Sequence, residues 1–123
     1  MLAYVDSSVV LGDILEARPV LSELTVRAEV ATSRITSLEI ARTLRRDLKE
    51  ADLASISAQL LAGIDLLGLS SAVLEVAASL PIRFLRSLDA IHLASALLVE
   101  ADVVLTRDSQ MRRACEELGL AVA

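Results

Sequence analysis

Four carboxylates, Asp6, Glu39, Asp89 and Asp108, stand where an alternating chain of strands and helices concentrates its chemistry. Asp6 directly follows the short apolar run Met1-Leu2-Ala3-Tyr4-Val5, and Asp108 follows the β-branched run Val103-Val104-Leu105-Thr106. Both therefore lie at strand exits. Asp89 sits in the first turn of a helix that Ser87 can cap, and Glu39 stands one turn into a segment opened by Thr36 or Ser37. In an open parallel α/β sheet, ligands bind beyond the carboxyl ends of the strands. Acids aimed at that region need counter-charges or a metal.

Crowded, partly desolvated carboxylates raise one another's pKa and cost stability unless cations are present. Hard divalent cations such as Mg²⁺ or Mn²⁺ take oxygen ligands. One or two of them supply what phosphodiester hydrolysis requires: charge neutralised at phosphorus, a hydroxide near neutral pH and a stabilised leaving alkoxide. Other chemistries find no residues here. There is no Cys/His cluster for zinc, and Gly12, Gly63, Gly68 and Gly119 are isolated rather than a phosphate-cradling loop. No Ser or Cys pairs evidently with a histidine and a third group. His92 is the only histidine; it could pair with Asp89, and its preferred reading is structural.

Taken singly, each acid has a plainer role. Asp108 could cap the last helix, worth about 1 kcal/mol against alanine, and Asp6 could cap the first. Asp89 could merely complement a helix dipole, worth about 0.3–1 kcal/mol. Glu39 and Arg42 could be an exposed helical pair worth about 0.2–0.5 kcal/mol. A receiver-like phosphoacceptor domain would want paired acids after the first strand and a lysine near the C-terminus, but the sole lysine is Lys49.

The acids sit in four ordered motifs: Tyr4-Val5-Asp6-Ser7-Ser8, Thr36-Ser37-Leu38-Glu39, Leu88-Asp89-Ala90-Ile91-His92-Leu93-Ala94 and Ala101-Asp102-Val103-Val104-Leu105-Thr106-Arg107-Asp108. With them the chain resembles PIN-domain ribonucleases, most closely the small VapC-type toxins of bacterial toxin–antitoxin pairs. The resemblance runs from the first strand to Leu118-Gly119-Leu120. It implies that Asp6, Glu39, Asp89 and Asp108 form a catalytic, metal-binding set for Mg²⁺ or Mn²⁺, with Ser7 and Thr106 as polar support. The implied reaction is endonucleolytic cleavage of RNA by water, leaving a 5′-phosphate. The implied partners are a cognate antitoxin, whose C-terminal segment covers the groove, and a second copy of the chain in a homodimer. A housekeeping PIN nuclease without an antitoxin, or a non-catalytic PIN-like binding module, is the alternative.

A chain of 123 residues with 54% hydrophobic content suits one folded domain, here taken as residues 1–123. No apolar run approaches a membrane span, and the start runs straight into a strand without a basic region or cleavage site. A cytoplasmic protein is expected. Lone Cys115 reads as a small buried apolar residue. The net charge of −5 looks wrong for a nucleic-acid partner, but without the four candidate acids 13 acidic residues face 12 basic ones. The negative excess thus concentrates in the site. Eleven of the twelve basic residues are arginine, which suits bidentate phosphate contacts and equally reflects codon usage in a GC-rich genome.

The positioning elements follow from periodicity and turn residues. Strands are expected over 2–5, 29–32, 64–69, 103–106 and 120–122. Helices are expected over 7–15, 20–28, 36–48, 52–61, 70–80, 87–100 and 109–118, the first with Val9, Val10 and Ile14 inward. Arg18-Pro19 should break the first helix and Pro19 open the second. In the third, Leu38, Ala41, Leu44 and Leu48 make an apolar stripe, beside a second stripe of Glu39, Arg42, Thr43 and Arg46. That spacing puts Arg42 and Arg46 on the approach to Glu39, and Arg107 adjoins Asp108; all three are candidates for RNA or partner contact. In the helix from Ser87, Leu88, Ile91, Ser95 and Leu98 should share the buried face. Alternating β and α elements predict one α/β domain, a central, mostly parallel sheet with helices on both faces.

Overall fold

The computed structural model describes residues 1–15, 20–47 and 52–123, and of Ile14 and Leu15 only the backbone. The expectations for the Ile14 side chain, the Arg18-Pro19 break and Leu48 lie outside the described residues. In chain order the elements are β1 (Leu2–Val5), α1 (Ser7–Leu15), α2 (Val20–Arg27), β2 (Glu29–Ser33), α3 (Arg34–Asp47), α4 (Leu53–Leu60), β3 (Asp65–Leu67), α5 (Ser71–Ser79), α6 (Ser87–Leu98), β4 (Val103–Leu105) and α7 (Ser109–Glu117).

The four strands form one parallel sheet in the order β3-β2-β1-β4. The chain therefore adds strands to one side of β1, then returns to add β4 on the other, with Tyr4 registered against Ala31 and Val104. The carboxyl ends of β1 and β4 flank the crevice where strand order reverses. Ala3, Tyr4 and Val5 of the central strand are fully buried, as a strand covered on both faces requires. Side chains alternate across the sheet, so adjacent residues serve opposite cores. Tyr4 joins Ile82, Leu93, Val104, Met111 and Cys115 on one side. Val5 joins Val9, Val10, Leu21, Ile40 and Leu44 on the other.

Several helix ends follow local chemistry. Asp52 caps α4 by accepting the Ser55 amide at 3.1 Å, and Ser70 caps α5 by accepting that of Val73 at 3.2 Å. Gly119 takes φ +72° just past α7, a conformation that favours glycine. Other expectations are corrected. Helix α3 begins at Arg34 and buries Ile35, Thr36, Ile40 and Leu44, while Leu38 and Ala41 are exposed. Thr36 belongs inside because its hydroxyl bonds that of Thr32 at 2.7 Å, and the buried face follows it. Helix α6 buries the five consecutive residues His92 to Ala96 and leaves Leu88 and Leu98 exposed. It packs against α5, α3, α7 and β2, so no single stripe describes its buried surface. Ser87 does not cap it; Arg86 holds that position without a side-chain bond. Strand β3 is three residues long and paired only to β2, and the expected terminal strand reduces to one parallel bridge, Val104 to Val122. No described helix is long and apolar enough to cross a membrane.

Candidate active site

Asp6 is buried at the exit of β1 and ties three segments together. Its Oδ1 accepts the amides of Ser8 at 3.1 Å and Val9 at 3.3 Å, which caps α1, and also the Ser8 hydroxyl. Its Oδ2 accepts the Thr106 hydroxyl from the exit of β4. Both hydroxyls pass the connection on: Ser8 Oγ accepts the Arg107 amide at 2.9 Å, and Thr106 Oγ1 that of Asp108 at 3.1 Å. The two strand exits are thus clamped together across the crevice. The serine that bonds Asp6 is Ser8, two positions on and next to Ser7, the serine expected as nearby polar support. An Asx turn onto residue i+2 was the available local signal.

Asp108 caps α7, its Oδ1 accepting the amides of Gln110 at 2.7 Å and Met111 at 3.2 Å. Glu39, in the second turn of α3, accepts the His92 Nε2–H on Oε1 at 2.7 Å. His92 Nδ1 lies 2.7 Å from the Tyr4 hydroxyl, which also accepts the Ser33 amide at 3.2 Å. His92 therefore pairs with Glu39 and Tyr4, not with Asp89. Asp89, in the first turn of α6, is half-buried and makes no side-chain hydrogen bond among the described residues. Its pKa is raised, first by desolvation and then by Asp108; Asp6 and Glu39 add to the effect and His92 opposes it.

The four acids are thus electrostatic neighbours around Asp89. Among the described residues, however, no three carboxylate, imidazole or thiolate groups are drawn together tightly enough to hold one ion. Their donor chemistry nevertheless fits a hard divalent cation: the set is all oxygen, and Asp89 makes no described side-chain hydrogen bond or ion pair. Asp6 is held by a cap and two hydroxyls, Asp108 by its cap, Glu39 by the His92 imidazole and Asp89 by no described hydrogen bond.

The arginines differ among themselves. Arg42 and Arg46 are exposed on α3, and Arg46 Nε lies 3.0 Å from Asp47 Oδ1. The Arg107 guanidinium lies directly against Gly12 of α1, where any Cβ would overlap it. Arg112, unremarkable in the sequence, donates to the Thr106 carbonyl at 3.1 Å and braces the exit of β4.

The family model of the PIN domain matches residues 3–117. The chain belongs to the PIN-domain family. Within it the chain groups with the VapC ribonucleases. It is 37% identical over 106 residues to ribonuclease VapC46 of Mycobacterium tuberculosis, covering 85% of this chain and 72% of the relative. It is 32% identical over 97 residues to ribonuclease VapC47 of the same species, covering 77% and 71%. Solved structures agree on the fold. VapBC2 from Rickettsia felis, bound to a promoter DNA fragment, superposes with TM-score 0.80 at 14% identity, covering 100% of this chain and 98% of that one. VapC20 of M. tuberculosis, a sarcin–ricin loop cleaving toxin, superposes with TM-score 0.70 at 20% identity, covering 91% and 94%. The PIN match spans all four acids and both strand exits that the Asp6 clamp joins.

Proposed function

We propose that this PIN domain is a divalent-metal-dependent endoribonuclease and the toxin of a type II toxin–antitoxin pair. The observation that carries the reading is Asp89: a half-buried carboxylate without a described hydrogen bond or ion pair, pressed by Asp108, Asp6 and Glu39 at the carboxyl end of a parallel sheet. A fold that only needed a helix cap would not gather four acids there. Asp6, Asp89, Asp108 and Glu39 would hold Mg²⁺ or Mn²⁺. When bound, such a cation supplies charge neutralisation at the scissile phosphate and water that is deprotonated near neutral pH.

The chain's own contribution is placement. Asp6, clamped by Ser8 and Thr106, keeps the two strand exits in register. Asp108 spends one oxygen on the helix cap, and its other oxygen makes no described hydrogen bond. The exposed guanidinium groups of Arg42 and Arg46 give the approach to Glu39 a positive side for RNA phosphates or for an inhibitory partner. The VapC names and VapBC complexes among its relatives support a cognate antitoxin; a cytoplasmic homodimer is the expectation carried from the resemblance alone.

The test is co-expression with the frame upstream, release of the toxin, and mapping of new RNA 5′ ends. Cleavage should require Mg²⁺ or Mn²⁺ and stop in Asp89→Asn. Cleavage undiminished in excess EDTA would overturn the metal reading, and the lack of an upstream partner would leave a housekeeping nuclease.

A further inference from the structure

Two buried residues outside the acidic set end on one of its members. Tyr4 in the central strand is fully buried and His92 is 2% exposed, with the two rings packed edge to face. The string runs from the Ser33 amide to the Tyr4 hydroxyl, on to His92 Nδ1, and from His92 Nε2 to Glu39 Oε1. We propose that Tyr4 and His92 are positioning residues for Glu39, holding one carboxylate oxygen so that the other is presented to a divalent cation. This rests on the metal-dependent reading above.

Directionality follows from donor and acceptor counts. The Glu39 carboxylate only accepts, so Nε2 carries the ring proton, and the Tyr4 hydroxyl hydrogen is then available to Nδ1. Burial pushes the phenol's pKa upward, which keeps that hydrogen in place. Nδ1 then accepts, Nε2 carries the ring proton, and that proton points at Glu39. Core packing alone does not call for this ending. Glu39 has a 25% exposed side chain and would be solvated without help, so the His92 bond, besides satisfying the buried Nε2–H, restricts its rotamers and fixes where its second oxygen points. Oε2 makes no hydrogen bond among the described residues.

Because the chain has one histidine, ¹⁵N-histidine NMR reads this site alone. The expected wild-type spectrum shows the ring proton on Nε2, and Tyr4→Phe should move the Nδ1 signal. Calorimetry with Mn²⁺ gives the second readout. His92→Leu should weaken Mn²⁺ binding about 10–100-fold, the usual effect of losing a group that orients a ligand. His92→Gln, which retains a donor toward Glu39, should recover most of that loss, whereas a purely structural role would not discriminate in this way. If His92→Leu does not fold, Tyr4→Phe carries the test: losing the acceptor for the Ser33 amide lowers thermal stability, and the role is read from weakened Mn²⁺ binding in a variant still folded at the titration temperature. An Nδ1–H tautomer in the wild type would overturn the proposal. So would wild-type Mn²⁺ affinity in whichever of these two variants carries the test. A wild type that binds no Mn²⁺ would instead bring down the metal reading itself, and this role with it.

Discussion

Asp89 offers the sharpest test at the residue scale, because its roles as dipole partner and as ligand predict opposite signs. Its folded-state pKa is raised, so the native state holds the proton more tightly than the unfolded chain does. Stability from this group is therefore greatest below the unfolded pKa and falls as pH rises through the folded one. At neutral pH without cations its charge is a liability. Asp89→Asn should unfold at the same temperature as wild type or higher in EDTA, and the difference should shrink on acidification. Millimolar Mn²⁺ should stabilise the wild type by roughly 2.7 kcal/mol at about 100 times its Kd. The variant should lose most of that increment together with its activity; equal increments would remove Asp89 from the site. Gly12 is a second case. In Gly12→Ala, the new Cβ meets the flexible end of Arg107, while helix propensity gains about 1 kcal/mol. Urea unfolding should place the variant within about 1 kcal/mol of wild type with Arg107 displaced. RNA affinity should fall with that displacement, and an unchanged affinity would count against an RNA contact from the position Arg107 holds beside Gly12.

At the scale of elements, helix α7 separates capping from chemistry. Asn accepts the same amides as Asp, so Asp108→Asn should keep the cap and its stability, while Asp108→Ala should cost about 1 kcal/mol. Both should abolish RNA cleavage, and an active Asp108→Asn would make this residue a cap alone. Helix α3 carries its arginines on the solvent side. Arg46 forms an exposed contact with Asp47, a kind of pair worth little, so Arg46→Ala should leave stability within about 0.5 kcal/mol. Binding titrations at two salt concentrations should show weaker RNA affinity and a shallower salt dependence. An unchanged affinity would make the stripe solvated surface.

For the whole molecule, the sheet separates two apolar clusters, and Cys115 lies in the one built on Tyr4. Its thiol is fully buried, and burial, reinforced by Asp6, pushes its pKa up to about 11. Thiolate is the reactive form, so the native protein should resist a water-soluble disulfide reagent at pH 7. Labelling should follow the denaturant dependence of global unfolding measured by circular dichroism. Fast labelling of the native state would mean that the face covered by α6 and α7 opens independently.

Local pattern determined a good deal: the α/β alternation, most helix ends, the caps at Asp52 and Ser70, and the placement of four acids at strand exits or early helical turns. These depend on periods and caps spanning a few residues, which is what a sequence displays. Tertiary structure decided which faces turn inward. Hydropathy favoured Leu38 on α3, but the sheet selected the face with Thr36, whose buried hydroxyl is satisfied by Thr32. It also decided the strand order, which makes β1 and β4 neighbours and brings Thr106 onto Asp6 across a separation of 100 residues. The pairing of His92 with Glu39 rather than Asp89 is of the same kind. His92 and Asp89 share a helix, yet the imidazole faces the sheet, where Tyr4 and Glu39 reach it from 88 and 53 residues away. No period encodes such distances; they are set only when both faces of the sheet close.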